Sequence, residues 1–166
     1  MSRRDPRDGT DERQVLVDFL DFHRELALHR VAALGDERSK LRLVASLTTP
    51  AGVINHLAAV ERYWFRRVLA GDGWQPAWTK DDPDFDWRVA EIPLADIVAD
   101  YALAVEQSNA VMAGMGLADS AAWPRSVDDR VNLRWVLVHM IEETAQHNGH
   151  LDILCEQISV PDGAHG

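Results

Sequence analysis

The chain has 166 residues, a formal net charge of −10 and a single cysteine. That length can bury a core without disulfides or a structural metal, and the acidity excludes general affinity for nucleic acid or anionic membrane, where repulsion would replace counterion release. The lone Cys155 excludes an internal disulfide and a cysteine-based zinc site, and reads as a small apolar filler in a helix.

The N-terminal MSRRDPRDGTDER has no apolar stretch of the kind a signal peptide needs, and no run of about 18 apolar residues occurs, so a cytoplasmic protein is expected. Residues 1–10 and 160–166 are expected to be disordered tails around a single domain, 11–160. Four segments with an apolar period of about 3.6 residues follow in order, separated by stretches rich in Gly, Pro and Asp. The first is predicted from Asp11 to Leu34, with a stripe of Val15, Phe19, Phe22, Leu26 and Val31 and a stop at Gly35. The connector DERSKLRLVASLTT includes one further helical turn. The second helix opens on Thr49 and Pro50, a good N-cap followed by proline at the first helical position, and runs to Ala70, where GDG ends it. From Gly71 to Glu91 two prolines, five aspartates and three tryptophans make a long loop, a length often tied to function. Pro93 starts a third helix that ends near Met112. Asn132 caps a fourth, Leu133 to about Ile158, stopped by Pro161. Four long helices without a convincing strand predict an all-α fold, an antiparallel four-helix bundle whose core can build a metal site from facing helices. The six tryptophans suit a lined pocket or an aromatic interface, and favour a homodimer.

The fourth helix carries HMIEETAQHNGH, residues 139–150. At about 100° per residue, Glu143, His147 and His150 fall at roughly +40°, +80° and +20° from His139, and Glu142 at roughly −60°, toward the flank. Val136 and Met140 come out near the same face, so the polar row points to the core rather than to solvent. An ionised carboxylate there costs several kcal/mol unless it is paired or bound to a cation. Glu143 and His147, four residues apart, can reach one ion, and imidazole with carboxylate suits zinc or nickel. His56, the only histidine of the second helix, is the third candidate; His23 and His29 share no face. A hydrogen-bonded polar core cluster is the competing reading at this point.

The blocks DFHRELALHRVAALGDE, GVINHLAAVERYWFRRVLAG and LRWVLVHMIEETAQHNGHLDIL make the chain resemble the DinB-like, or YfiT-like, metal-dependent four-helix bundles, and more closely the actinobacterial branch known as mini-circle proteins. The resemblance spans about residues 15–158. It implies a divalent ion, zinc first and nickel second, held by His56, Glu143 and His147. Many members have a second histidine where this chain has Glu143, and the His, Glu, His set is similar to that of mycothiol-dependent maleylpyruvate isomerase. The implied activity is transfer of a low-molecular-weight thiol of the mycothiol type, as co-substrate, to a small electrophile. Alternatives are a maleylpyruvate-type isomerase, which needs basic residues at the pocket mouth, and a bundle that binds metal or a small ligand without catalysis. His150 is a candidate to accept a proton or orient substrate. Tyr63, on the face of His56, is a candidate to bind the thiol co-substrate, whereas Arg62, Arg66 and Arg67 read as solvated.

Overall fold

The computed structural model describes residues 11–123 and 131–159. The expected tails, Pro161 and most of the WPRSVDDR loop lie outside them. Within the described residues the protein is all-helical, with one isolated antiparallel bridge between Ser120 and Asn132 and no named strand. Its helices are α1 (Glu12–Ala32), a short α2 (Gly35–Ser39), α3 (Pro50–Glu61), α4 (Leu94–Ala113) and α5 (Leu133–Ser159). Helix α3 runs on without a break into a π-helical extension, Arg62–Ala70. Helix α1 packs along α5, α3 and its extension along α4, and α3 also meets α1 and α5.

Thr49 and Asn132 cap their helices as the sequence predicts, and Asp11, expected as the first residue of the first helix, is its N-cap. Asp11 accepts from the Gln14 amide at 2.9 Å, Thr49 from the Gly52 amide at 3.0 Å and Asn132 from the Trp135 amide at 2.9 Å, each satisfying an amide left orphaned in a first turn. Gly71 ends the α3 extension at φ 64°, a left-handed conformation that disfavours any side chain, and a Cβ there would stand 3.1 Å from that of Ala122. Gly35 has φ 75°, but α1 already ends at Ala32 and α2 begins at Gly35 itself.

The predicted stripe of α1 needs correction. Phe19 is 41% exposed, and Val15, Phe22 and Leu26 are only half-buried; the buried line is Leu20, Arg24, Ala27 and Val31. A face containing an arginine and an alanine scores poorly by hydrophobicity. It is buried nonetheless because Glu61 of α3 meets Arg24 with two hydrogen bonds, both 2.7 Å.

The apolar core forms two clusters. One gathers Ala27 and Val31 of α1, Ile54 and Leu57 of α3, Ile97 and Tyr101 of α4 and Leu151 of α5. The other gathers Leu20, Phe65, Met112, Leu137 and Met140. Along each long helix the changeover between them falls at buried polar residues: Arg24, Glu61, Ser108, and Thr144 with His147 and Asn148. Thr144 and Ser108 donate back to the carbonyls of Met140 and Ala104, so their hydroxyls are satisfied.

Candidate metal centre

His56 reaches the centre from α3, Glu143 and His147 from α5. Glu143 Oε1 lies 3.2 Å from His147 Nε2 and 3.5 Å from His56 Nε2. One donor atom from each of the three residues lies within 4.8 Å of the other two, close enough for a single ion. Among the described residues this is the group of histidines, cysteines and carboxylates that could hold a metal. The turn Phe85–Trp87 in the loop after the α3 extension covers it from the side. Trp87 stacks on the His56 imidazole, with centroids 4.6 Å apart and planes at 19°.

A family model described as Mycothiol-S-transferase matches residues 15–160. The chain belongs to that family. The family lies within the DinB/YfiT-like superfamily, the one the second- and fourth-helix blocks point to. Among curated proteins none matches the chain.

For a family member the donor set is chemically apt: two imidazoles and a carboxylate suit a borderline divalent ion, and all three residues are only partly accessible. Charge within the group is already polarised. Hydrogen bonds from His147 and His56 hold the Glu143 carboxyl well below the usual carboxylate range, outweighing the opposing effect of burial. Burial alone would lower the pKa of His56, but the carboxylates of Asp86 and Glu143, each 3.5 Å from one of its ring nitrogens, reverse this and raise it.

The other candidates take different places. His150 is exposed at the rim, its Nδ1 3.4 Å from Nδ1 of His147, so it touches the ligand ring on the nitrogen away from Glu143. His139 shares the angular face but not the site: it stacks on Trp135 and meets Trp64 edge-on, at 5.2 and 4.7 Å. Eight residues of helix separate it from His147, about 12 Å along the axis, which a reading of angles alone ignores. Glu142 is exposed on the flank, as expected. Tyr63 packs against Trp64 and Trp78, at 5.4 and 5.9 Å. Seven residues of helix separate it from His56, about 10 Å along the axis.

The three arginines of the extension are anchored rather than solvated. Arg62 binds Asp100 through both carboxylate oxygens, Arg66 binds Asp72 at 2.6 Å, and Arg67 lies over Trp123 at 4.4 Å. Burial pushes the Cys155 thiol up, which keeps it an inert filler.

The sequence reading passes over Asp86 and Trp87. Asp86 is 5% exposed, with Oδ2 3.5 Å from His56 Nδ1, and its backbone carbonyl accepts from Asn55 Nδ2 at 2.7 Å. One signal was available: of the five aspartates in the loop, Asp86 alone stands between two aromatic residues, Phe85 and Trp87.

Proposed function

We propose that the protein is a metal-dependent transferase that joins a low-molecular-weight thiol of the mycothiol type to a small electrophile. The observation that carries this reading is the convergence of donor atoms from His56, Glu143 and His147 within 4.8 Å in a member of this family. The four long helical segments are then an antiparallel bundle of the DinB/YfiT kind, with Gly71–Glu91 as its long loop, and a reducing cytosol suits a free thiol co-substrate. No described helix is long and apolar enough to cross a membrane.

His56, Glu143 and His147 would hold a divalent ion, zinc or nickel, and such an ion would supply the Lewis acidity that favours a thiolate at neutral pH. The remaining work falls to the chain. His56, Glu143 and His147 bind from two helices, so the centre is fixed by packing rather than by a loop. Trp87 walls off the His56 side from water. His150, exposed at the rim with its Nδ1 3.4 Å from Nδ1 of His147, supplies an imidazole that can take up the thiol proton and pass it outward. Transfer forms one S–C bond and releases that proton with the leaving group of the electrophile.

The test is incubation of zinc-loaded protein with mycothiol and a panel of electrophiles, with adducts read by mass spectrometry. Adduct formation that disappears after chelation and in His147→Ala is expected; a panel with no metal-dependent adduct sinks the reading.

One observation favours a second activity. A cavity of about 410 Å³ beyond Trp87 is lined by Lys40, Arg42 and Arg88 together with Leu47 and Val89. Glu91 also lines it, and Lys40 and Arg88 are engaged by Asp36 and Asp82, so Arg42 is the basic residue left to favour an unsaturated dicarboxylate and with it an isomerase of the maleylpyruvate type. In that case the substrate is isomerised and the thiol is recovered unchanged, whereas transfer consumes it.

A further inference from the structure

We infer that Asp86 is a positioning residue: its carboxylate accepts the Nδ1 proton of His56 and thereby turns Nε2, with its lone pair, toward Glu143 and His147. The inference rests on reading those three residues as ligands of one ion.

Four observations converge on it. His56 Nδ1 is buried and, among the described residues, has no hydrogen-bond partner; Asp86 Oδ2 is its ion-pair partner on that side, at 3.5 Å. Closing that gap to hydrogen-bond length needs a shift of about 0.5 Å. Among the described residues His56 is the only ion-pair partner of Asp86, so a nearly buried carboxylate has been placed against an imidazole and not against a lysine or arginine. The acid is held from behind by its backbone, through Asn55 Nδ2 to the Asp86 carbonyl at 2.7 Å, one residue before His56 on the same helix. Trp87, next in the chain, lies flat on the His56 ring and limits its rotation.

Neutral histidine carries one proton, and the partner of one ring nitrogen decides which nitrogen stays free to bind a metal. With Asp86 on Nδ1, the free nitrogen is Nε2, the one that faces Glu143. Acids in this position contribute typically 10- to 100-fold in metal affinity. On α5, His150 stands in the corresponding place for His147, but as an exposed imidazole and not a buried carboxylate. Asp86 is therefore the stronger of the two supports.

The experiment combines two readouts on wild type, Asp86→Asn and Asp86→Ala. In zinc-free, 15N-labelled protein at alkaline pH, long-range 1H–15N spectra report which nitrogen of His56 carries the proton. Zinc affinity is measured separately, by competition with a chromophoric chelator. Wild type is expected to show the proton on Nδ1. Asp86→Ala should shift it toward Nε2 and weaken zinc binding 10- to 100-fold, with Asp86→Asn, which keeps an acceptor oxygen without the charge, in between. Asp86→Asn decides the matter if the alanine variant does not fold. Zinc affinity within twofold of wild type in a folded variant overturns the inference and leaves the metal centre standing. Wild type that binds no zinc overturns the metal centre, and the inference with it.

Discussion

Two polar clusters lie among the same helices and are closed in opposite ways. Around Arg24 the charges answer one another: Glu61 takes two of its N–H groups, Asp21 and Asn109 take another, and both Arg24 and Glu61 are almost fully buried. Around Glu143 there is no arginine or lysine partner among the described residues. One carboxylate oxygen instead faces two imidazole nitrogens, and a second carboxylate backs one of those rings. The first is a finished ion pair that joins α1 to α3. The second is a set of donor atoms whose partner can be a proton or a metal. Burial therefore does not separate a structural cluster from a functional one; complementarity of charge does.

The largest expected effect comes from breaking the finished pair. Arg24→Met should destabilise the protein by about 3–5 kcal/mol in chemical denaturation, because it strands Glu61 in the core, whereas Arg24→Met with Glu61→Leu should recover most of the loss. If the double variant is no better than the single, the pair is not the isolated, self-compensated unit described above.

The unfinished cluster should respond to metal instead. Zinc at 100 times its dissociation constant should stabilise wild type by about 2.7 kcal/mol, and His147→Ala should abolish that increment. A thermal melt with and without zinc reads it directly.

The two clusters should also differ in pH response. Without metal, Glu143 has a lowered pKa, so its contribution is present above the carboxyl value of about 4.5 and is lost as pH falls through the folded value. His56 has a raised pKa, so its contribution is present below about 6.5 and is lost as pH rises through the folded value. Metal-free protein should therefore draw most from this cluster between about pH 4.5 and 6.5. The zinc increment should run the other way and grow as pH rises, since metal competes with protons for the same atoms. Melts of wild type and Glu143→Gln from pH 4 to 8, with and without zinc, compare the two slopes.

The smallest effects are expected where a hydroxyl belongs to neither closure. The Tyr101 hydroxyl is buried without a hydrogen-bond partner among the described residues, so Tyr101→Phe should be neutral or stabilising by up to about 1 kcal/mol. Tyr63 packs among tryptophans, and Tyr63→Phe should leave kcat/KM of the transfer within about twofold. A larger loss would give its hydroxyl a role in binding the thiol.

Much of this was legible in the sequence because it is local. Caps at Thr49 and Asn132 depend on residues three positions apart, and the pairing of Glu143 with His147 depends on four. His56 was legible because α3 has no other histidine. What escaped depends on the partner of a residue. The buried face of α1 contains Arg24, which reads as solvent-facing until Glu61 of α3 is known to meet it. Asp86 and Trp87 belong to a loop without period, and only the packing of that loop on α3 gives them a role. His139 matched His147 in angle, but eight residues of helix separate the two in height.

If His56, Glu143 and His147 hold one ion, elemental analysis of tag-free protein after exposure to zinc or nickel will count it. About one ion per chain in wild type, lost in both His56→Ala and Glu143→Ala while each stays folded, is the predicted result. Folded wild type that remains metal-free after both ions are offered, or variants that keep the full complement, would contradict it.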